Sequence, residues 1–215
     1  MVLSTGMLVV AGPLVRDWTT AHHAQTPQTS TNEAGQARQL LQDIPARGRA
    51  PKTGYRRDLY GHGWPTVAGC GMRDRILSRD LVDVVYRPGT RDCVVESGTL
   101  HDPYTGKTIH FVKGNTTSTL VQVDHVYPLA LSWQQGAQQW NRSQREQFYA
   151  DPANLVAVDG RTNQAKGASG PGSWLPPNKL IRCQYVTDFV TVASRYELSM
   201  NPGDHQAAES VLRRC

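Results

Sequence analysis

Residues Val121–Pro177 read VQVDHVYPLALSWQQGAQQWNRSQREQFYADPANLVAVDGRTNQAKGASGPGSWLPP, and the predictions for the whole chain start from this stretch. It begins with an alternation of apolar and polar residues that predicts a β-strand ending at Asp124 and His125. A helical connection follows, and the apolar run LVAV then predicts a short second strand before a turn at Asp159-Gly160. The predicted order is therefore a strand, a helical connection, a short strand and the start of a helix.

This order would bring four polar side chains together: Asp124, His125, Asn163 and Lys166. A carboxylate and an amide oxygen can bind a hard divalent metal ion. An imidazole can accept a proton near neutral pH, and a lysine cation can stabilise developing negative charge. Taken singly, Asp124 would be an ordinary strand-end cap and His125 a buried core histidine. The combination and its spacing favour a site for phosphodiester hydrolysis.

The composition fits one mildly basic, compact and loop-rich protein rather than one of long helices. The chain has 215 residues, 13 prolines and 5 tryptophans, with a formal net charge of +5 and a pI of about 9.2. This length suffices for one sizeable core, or for one domain with a tail. Arginine outnumbers lysine, and the guanidinium group binds phosphate through two parallel hydrogen bonds. The charge suits a phosphate-bearing partner, although most single arginines are expected on an ordinary solvated surface.

The chain contains four cysteines: Cys70, Cys93, Cys183 and Cys215. None belongs to a C-x-x-C pair, which argues against a zinc knuckle. An even number fits two disulfides formed in an oxidising compartment, which predicts a secreted or cell-surface protein. Among the three pairings we favour Cys70–Cys93 with Cys183–Cys215, because each closes a local loop. Four free buried thiols are the alternative.

The N-terminal 30 residues are predicted to be a leader and linker. Residues 7–15 read MLVVAGPLV, an apolar run similar to the core of a signal peptide. No Lys or Arg precedes this run, and it is too short to span a bilayer, so it is a weak export signal. Residues 22–31 are polar and predict a linker. A helix is predicted to begin at about Thr31 or Asn32 and to end at Pro45.

The remaining segments predict a mixture of helices and strands. A helix is expected near residues 70–81, and strands near residues 84–86, 93–100 and 107–112, which gives a chain of the α+β class. Arg73 and Arg75 on this helix either bind a nucleic-acid backbone or pair with nearby aspartates, and local pairing is the commoner outcome. Tyr185–Leu198 is expected to be strand or mixed structure, and Glu209–Arg214 a short helix.

The motifs Asp124-His125, Asn154-Leu155 and Asn163-x-x-Lys166-Gly167 resemble, in this order, those of the HNH nucleases, which have the ββα-metal fold. The longer pattern DHVYPLALSWQQGAQQW, DPANLVAVDG, NQAKG, WLPPN and C-Q-Y resembles a subfamily of secreted HNH endonuclease-like proteins. These belong with the group DUF1524, which also contains the C-terminal domain of a modification-dependent restriction enzyme. The resemblance covers roughly Tyr55–Cys215. It implies one HNH nuclease-like domain at residues 31–215, with its core at 100–180 and an N-terminal helical and β extension.

The resemblance also implies a role for each matching residue. Asp124 is similar to the first metal ligand, and Asn163 to the second. His125 is similar to the general base that activates water, and Asn154 to the residue that ties the loop to the hairpin and so orients the base. Lys166 lies where some relatives place a cation near the scissile phosphate.

Two departures from the family pattern favour a hard metal ion. Asn163 stands where many members have histidine, and Asp124 replaces a histidine before the base, so one Mg²⁺ or Mn²⁺ is favoured over zinc or nickel. The expected activity is DNA cleavage with little sequence preference, because no separate DNA-reading module is visible. The alternatives are an RNA-cutting toxin domain and a non-catalytic nucleic-acid-binding or structural protein on an HNH-like scaffold.

Overall fold

Helices and strands of mixed α+β type make up residues 27–114 and 118–215, which the computed structural model describes, with side chains from residue 32 onward. The helices in these ranges are α1 (Pro27–Asp43), α2 (Met72–Asp80), α3 (Leu129–Gln134), α4 (Arg142–Ala150), α5 (Gly160–Lys166), α6 (Arg182–Arg195) and α7 (Pro202–Leu212). The strands are β1 (Thr66–Val67), β2 (Cys70–Gly71), β3 (Leu81–Tyr86), β4 (Val95–His101), β5 (Thr108–Val112), β6 (Val121–His125) and β7 (Leu155–Asp159).

The predicted strand, connection, strand and helix are found as β6, the α3 and α4 connection, β7 and α5. Strands β6 and β7 pair antiparallel, with Val121 opposite Asp159 and His125 opposite Leu155. The Asp159 carboxylate then accepts a hydrogen bond from the Thr162 backbone N–H, and this N-cap begins α5 directly at the end of β7. A hydrogen bond from the last residue of α5 to the His125 carbonyl brings the end of α5 close to the end of β6.

Gly160 is required by the tight passage from β7 into α5. Its backbone N–H donates to the Leu120 carbonyl over 2.8 Å. A Cβ atom at this position would lie 2.1 Å from the Thr119 carbonyl oxygen, closer than any side chain can approach. The Asp-Gly pair that predicted a turn therefore combines a helix cap with a close backbone contact.

Two hydrophobic clusters pack on either side of this hairpin. The first contains the buried faces of α1, α6 and α7 together with α3 and α4, and the second packs α2 against the sheet formed by β3, β4 and β5. Val158 of β7 belongs to the first cluster, whereas Leu155 and Ala157 belong to the second. The hairpin is therefore held by both parts of the core, which fixes the position of the residues at its end.

The predicted disulfide pairing is confirmed. Cys70–Cys93 joins β2 to the segment before β4, and Cys183–Cys215 joins the first turn of α6 to the last residue. The paired cysteines are separated by 23 and 32 residues. Loops of this size make each bond worth about 3–4 kcal/mol through restriction of the unfolded chain.

Three predictions of secondary structure are wrong. Tyr185–Leu198 is not a strand but forms most of α6, because Tyr185, Phe189 and Val192 are buried at helical spacing against the first cluster. That packing outweighs the β-branched residues which favoured a strand. Helix α1 begins at Pro27, several residues before the predicted start, so part of the predicted linker is helical.

The C-terminal helix is also longer than predicted, because α7 begins at the Asn201 cap. The predicted signal segment lies outside the described residues. Within the described ranges, no helix is both long and apolar enough to cross a membrane.

Candidate active site

A cleft of about 260 Å³ opens at the end of the β6–β7 hairpin. Three of the predicted site residues line it: Asp124 and His125 at the end of β6, and Asn163 on α5. The loop before β1 contributes Tyr55 and Arg57 to the same cleft. Residues far apart in sequence thus meet here, as the pattern of strands and helix predicted.

Asp124 is a buried carboxylate, 7% exposed, whose two oxygens have different surroundings. Its Oδ2 accepts a 2.7 Å hydrogen bond from the Tyr104 hydroxyl and lies 2.7 Å from Lys166 Nζ. Burial, and then the charge of Asp124, raise the pKa of Tyr104 well above its usual value, so the hydroxyl remains a donor. Asp124 Oδ1 has no hydrogen-bond partner among the described residues and is available for a further ligand.

Lys166 lies behind the cleft rather than in it. Its side chain is 1% exposed, and Nζ donates to Asp124 Oδ2 and, over 2.8 Å, to the His125 carbonyl. Burial lowers the pKa of Lys166, and the adjacent Asp124 carboxylate opposes this shift. The ammonium group therefore fixes the end of β6 and the orientation of Asp124, and the structure gives it no direct path to a ligand in the cleft.

The His125 ring is held in one tautomer by the backbone. Nε2 lies 2.9 Å from the Tyr149 carbonyl. Because a carbonyl only accepts, Nε2 carries the hydrogen and Nδ1 has the free lone pair. The ring stacks on Trp64 at 5.7 Å between centroids. Burial lowers the pKa of His125 to about 3, and the positive charges of Arg57 and Lys166 act in the same direction, so the ring is neutral at neutral pH.

Asn154 ties the beginning of β7 to the segment that follows His125. It is fully buried, its Oδ1 accepts from the Tyr127 N–H over 2.7 Å, and its Nδ2 donates to the Tyr127 carbonyl over 3.2 Å. The Asn154 carbonyl also accepts from the Val126 N–H over 2.8 Å. These three bonds fix the backbone on both sides of the hairpin end.

Asn163 presents an amide oxygen to the cleft. Its Nδ2 donates to Gln122 Oε1 of β6 over 2.9 Å, which leaves Oδ1 without a partner among the described residues. In the described part of the chain, no group of three or more His, Cys, Asp or Glu side chains is suited to hold a metal. An ion bound here would thus have few protein ligands.

The two arginines predicted as nucleic-acid contacts lie outside the cleft lining. Arg73 donates to the Ser118 and Val121 carbonyls at 3.3 and 3.0 Å, and its guanidinium stacks over Phe111. It holds the segment before β6 in place. Arg75 is exposed on α2.

Four contributors to the site were missed in the sequence: Tyr104, Tyr149, Trp64 and Arg57. Tyr104 belongs to the predicted turn Asp102–Gly106, and Tyr149 acts through a backbone carbonyl, which no side-chain pattern can reveal. Trp64 and Arg57 lie in the aromatic, glycine-containing segment YRRDLYGHGW, which the family resemblance covers without assigning a role to either residue.

These features define a disulfide-linked α+β protein with a polar cleft at the end of a hairpin. Residues 71–200, more than half of the 215-residue chain, match the family described as GmrSD restriction endonucleases, C-terminal domain. The chain belongs to this family, which confirms the resemblance to the group that contains a restriction-enzyme C-terminal domain. Membership indicates a nuclease-related function and implies a nucleic-acid substrate.

One relative extends the similarity beyond the family domain. A protein of Arthroderma benhamiae named "Uncharacterized secreted protein" is 37% identical over 185 residues, which are 85% of this chain and 86% of the relative. No solved structure matches the chain significantly. The two disulfides and the secreted relative bear out the predicted secreted or cell-surface location.

Proposed function

We propose that the protein is a metal-dependent HNH-type endonuclease that hydrolyses DNA phosphodiester bonds with little sequence preference. The observation that carries this proposal is the cleft itself. Three residues meet there, and each has one atom without a partner among the described residues: Asp124 Oδ1, Asn163 Oδ1 and His125 Nδ1. The family match supports the nuclease class, and the arrangement of strand, strand and helix supports the HNH type.

The donor set fits one hard divalent ion. Asp124 and Asn163 would hold Mg²⁺ or Mn²⁺ through one carboxylate and one amide oxygen, with water and substrate oxygens completing the shell, as is usual for Mg²⁺. When bound, such an ion polarises a non-bridging phosphate oxygen and stabilises the leaving oxygen.

His125 is the proposed general base. Its neutral ring takes a proton from water at Nδ1, and the Tyr149 carbonyl then stabilises the imidazolium through Nε2–H. A phosphate anion in the cleft would raise the pKa of the ring and a metal ion on Asp124 would lower it, because a negative charge favours the imidazolium and a positive charge opposes it. Attack of the activated water gives 5′-phosphate and 3′-hydroxyl ends.

Lys166 and Asn154 are proposed to act by positioning. Lys166 holds the Asp124 carboxylate from behind, so its positive charge reaches the substrate only through Asp124. Asn154 fixes the backbone next to His125 and thereby the direction of the ring. The single domain at residues 31–215 would contain all of these groups.

Nicking of supercoiled plasmid in Mg²⁺ or Mn²⁺ tests the proposal. We expect the wild-type protein to nick DNA, EDTA to stop the reaction and His125→Ala to lose activity. His110→Ala is the matched control, because His110 is exposed on β5. Activity that survives His125→Ala in a folded protein would refute the assigned base. Parallel assays with single-stranded and duplex RNA separate DNA cleavage from the RNA-cutting alternative, and binding without any cleavage would favour the non-catalytic one.

A further inference from the structure

One side of the cleft is built by residues that precede the family domain. The family match begins at residue 71. Residues 52–59, which we call the wall segment, nevertheless place Tyr55 and Arg57 in the cleft lining beside Asp124, His125 and Asn163. The family domain alone therefore does not form the whole cleft.

Arg57 differs from the other cations near the site. Among the described residues it is the sole Lys or Arg in the cleft lining, and its guanidinium has no carboxylate within ion-pair distance. The guanidinium carbon lies 5.8 Å from the centre of the Tyr149 ring, and the Tyr149 carbonyl is the partner of His125. An exposed cation thus stands next to the proposed base with its hydrogen-bond donors unused within the described part of the chain.

The neighbouring Arg56 provides a built-in comparison. It is also exposed, but its guanidinium pairs with Asp58 at 3.2 Å and does not line the cleft. Two adjacent arginines therefore share charge, size and exposure and differ in where they point and whether they are neutralised. Sequence alone could not separate them.

The wall segment is fixed in place by the helical connection. Trp133 packs edge-on against Tyr55 at 6.1 Å, and its Nε1 donates to the Thr53 carbonyl over 3.3 Å. The Tyr60 hydroxyl bonds Ser132 Oγ over 2.8 Å, and Arg145 Nε donates to the Leu59 carbonyl over 3.3 Å. Because these contacts hold the backbone before and after Arg57, binding has to order only its side chain.

We propose that Arg57 is the phosphate-binding residue of the cleft and that the segment upstream of the family domain is part of the nuclease site. The inference rests on the proposed nuclease function. A guanidinium offers paired donors that match two phosphate oxygens. Lys166 does not serve this purpose, because its ammonium group is buried on Asp124. Arg57 therefore takes the role of cation at the phosphate that the sequence pattern assigned to Lys166.

The test compares Arg57→Gln with Arg56→Gln on a short duplex oligonucleotide. We expect Arg57→Gln to lower kcat/KM by about tenfold or more, the kinetic equivalent of one charge-assisted hydrogen bond. The plot of log kcat/KM against log salt should also become shallower by about 0.9, because one phosphate contact is lost. Arg56→Gln should change kcat/KM by less than about twofold, the scale of an exposed ion pair, and Arg57→Lys should restore part of the loss.

A binding assay separates failure of this inference from failure of the proposed function. Fluorescence anisotropy in EDTA measures affinity for the same oligonucleotide without cleavage. A wild-type protein that binds DNA but does not cut it in Mg²⁺ or Mn²⁺ would refute the nuclease proposal. In that case, weaker and less salt-dependent binding by Arg57→Gln would still support the phosphate contact. Equal affinity and salt dependence for the wild type and Arg57→Gln, or no binding by the wild type, would overturn the inference. Equal melting temperatures exclude a folding defect.

Discussion

Two parts of the molecule line the same cleft but are held in place by different contacts. One is the unit formed by β6, β7 and α5, which we call the hairpin unit, and the other is the wall segment. The unit is regular: a backbone ladder from Val121 to His125 and a capped helix fix Asp124 and Asn163. The wall segment contains one short 3₁₀ turn and depends on contacts with Trp133, Ser132 and Arg145, all remote in sequence. Regular structure thus holds the residues proposed as metal ligands and base, and irregular structure holds the proposed phosphate-binding cation.

This comparison predicts that changes in the hairpin unit cost both stability and activity, whereas changes in the wall segment cost mainly substrate binding. The hairpin end contains a buried ion pair, and removal of one partner leaves a charge without compensation. The wall segment is exposed along most of its length, so its residues contribute less to the free energy of unfolding.

The largest effect is expected at Asp124. Asp124→Ala should abolish nicking and lower the free energy of unfolding by about 3–5 kcal/mol, because Lys166 Nζ remains buried without its counter-charge. The double variant Asp124→Ala with Lys166→Met should recover much of the stability and none of the activity. Urea unfolding and plasmid nicking measure the two quantities. If the double variant is no more stable than Asp124→Ala, the loss of stability does not come from the unpaired charge of Lys166.

Gly160 tests the hairpin unit without touching a polar group. A Cβ atom there would lie 2.1 Å from the Thr119 carbonyl oxygen. Gly160→Ala should therefore cost about 1–3 kcal/mol of stability, as overpacking does, and should lower nicking because α5 carries Asn163. Gly48→Ala is the matched control, since no atom lies within 4 Å of its added Cβ. Chemical denaturation of both variants makes the comparison, and equal stabilities would contradict the close approach.

The wall segment is tested through Trp133 of α3, which supports it, and we expect the change to affect substrate binding more than stability. Trp133→Ala removes the ring that packs on Tyr55 and the bond to the Thr53 carbonyl. We expect kcat/KM to fall by about fivefold, equivalent to about 1 kcal/mol of transition-state binding, mainly through KM. Steady-state kinetics on a short oligonucleotide measures this change. Trp133→Phe keeps an aromatic ring and should have a smaller effect. A fall in kcat at unchanged KM would argue that the wall acts on the base rather than on substrate binding.

The same contrast explains how much the sequence could predict. The alternation before Asp124, the run after Asn154 and the Asp159-Gly160 pair are local signals, and they correctly placed β6, β7 and α5. The disulfide pairing also followed from loop length. These features are encoded by residues that are close together in the chain.

The misplaced features depend on long-range packing. Lys166 has the spacing of a surface cation on α5, and only the fold shows that its side chain turns inward onto Asp124. Arg57 has no distinguishing neighbours in the sequence, and the loop contacts with Trp133 and Ser132 bring it to the cleft. Helix α6 was mistaken for a strand because its β-branched residues gave a local signal that burial against α1 outweighs.

The smallest expected effect on activity lies in the α1–α6 interface, whose residues do not line the cleft. Asp188 of α6 accepts a 2.8 Å bond from Gln184, and burial raises its pKa to about 7, with Glu33 of α1 acting in the same direction. Between its unfolded value of 3.8 and about 7, the folded protein holds a proton that the unfolded chain releases. The stability that this group contributes is therefore complete below 3.8 and is lost as the pH rises through 7.

Asp188→Asn removes this titration. The variant should be more stable than the wild type at about pH 8 by roughly 1–2 kcal/mol, a value reduced for the partial exposure of the side chain, and the difference should disappear near pH 4. Thermal unfolding across this pH range measures the trend. Nicking should be unchanged at every pH, because Asp188 does not line the cleft. A stability difference that is constant from about pH 4 to pH 8 would show that Asp188 does not take up a proton on folding, and a change in nicking would show that the α1–α6 interface is coupled to the cleft.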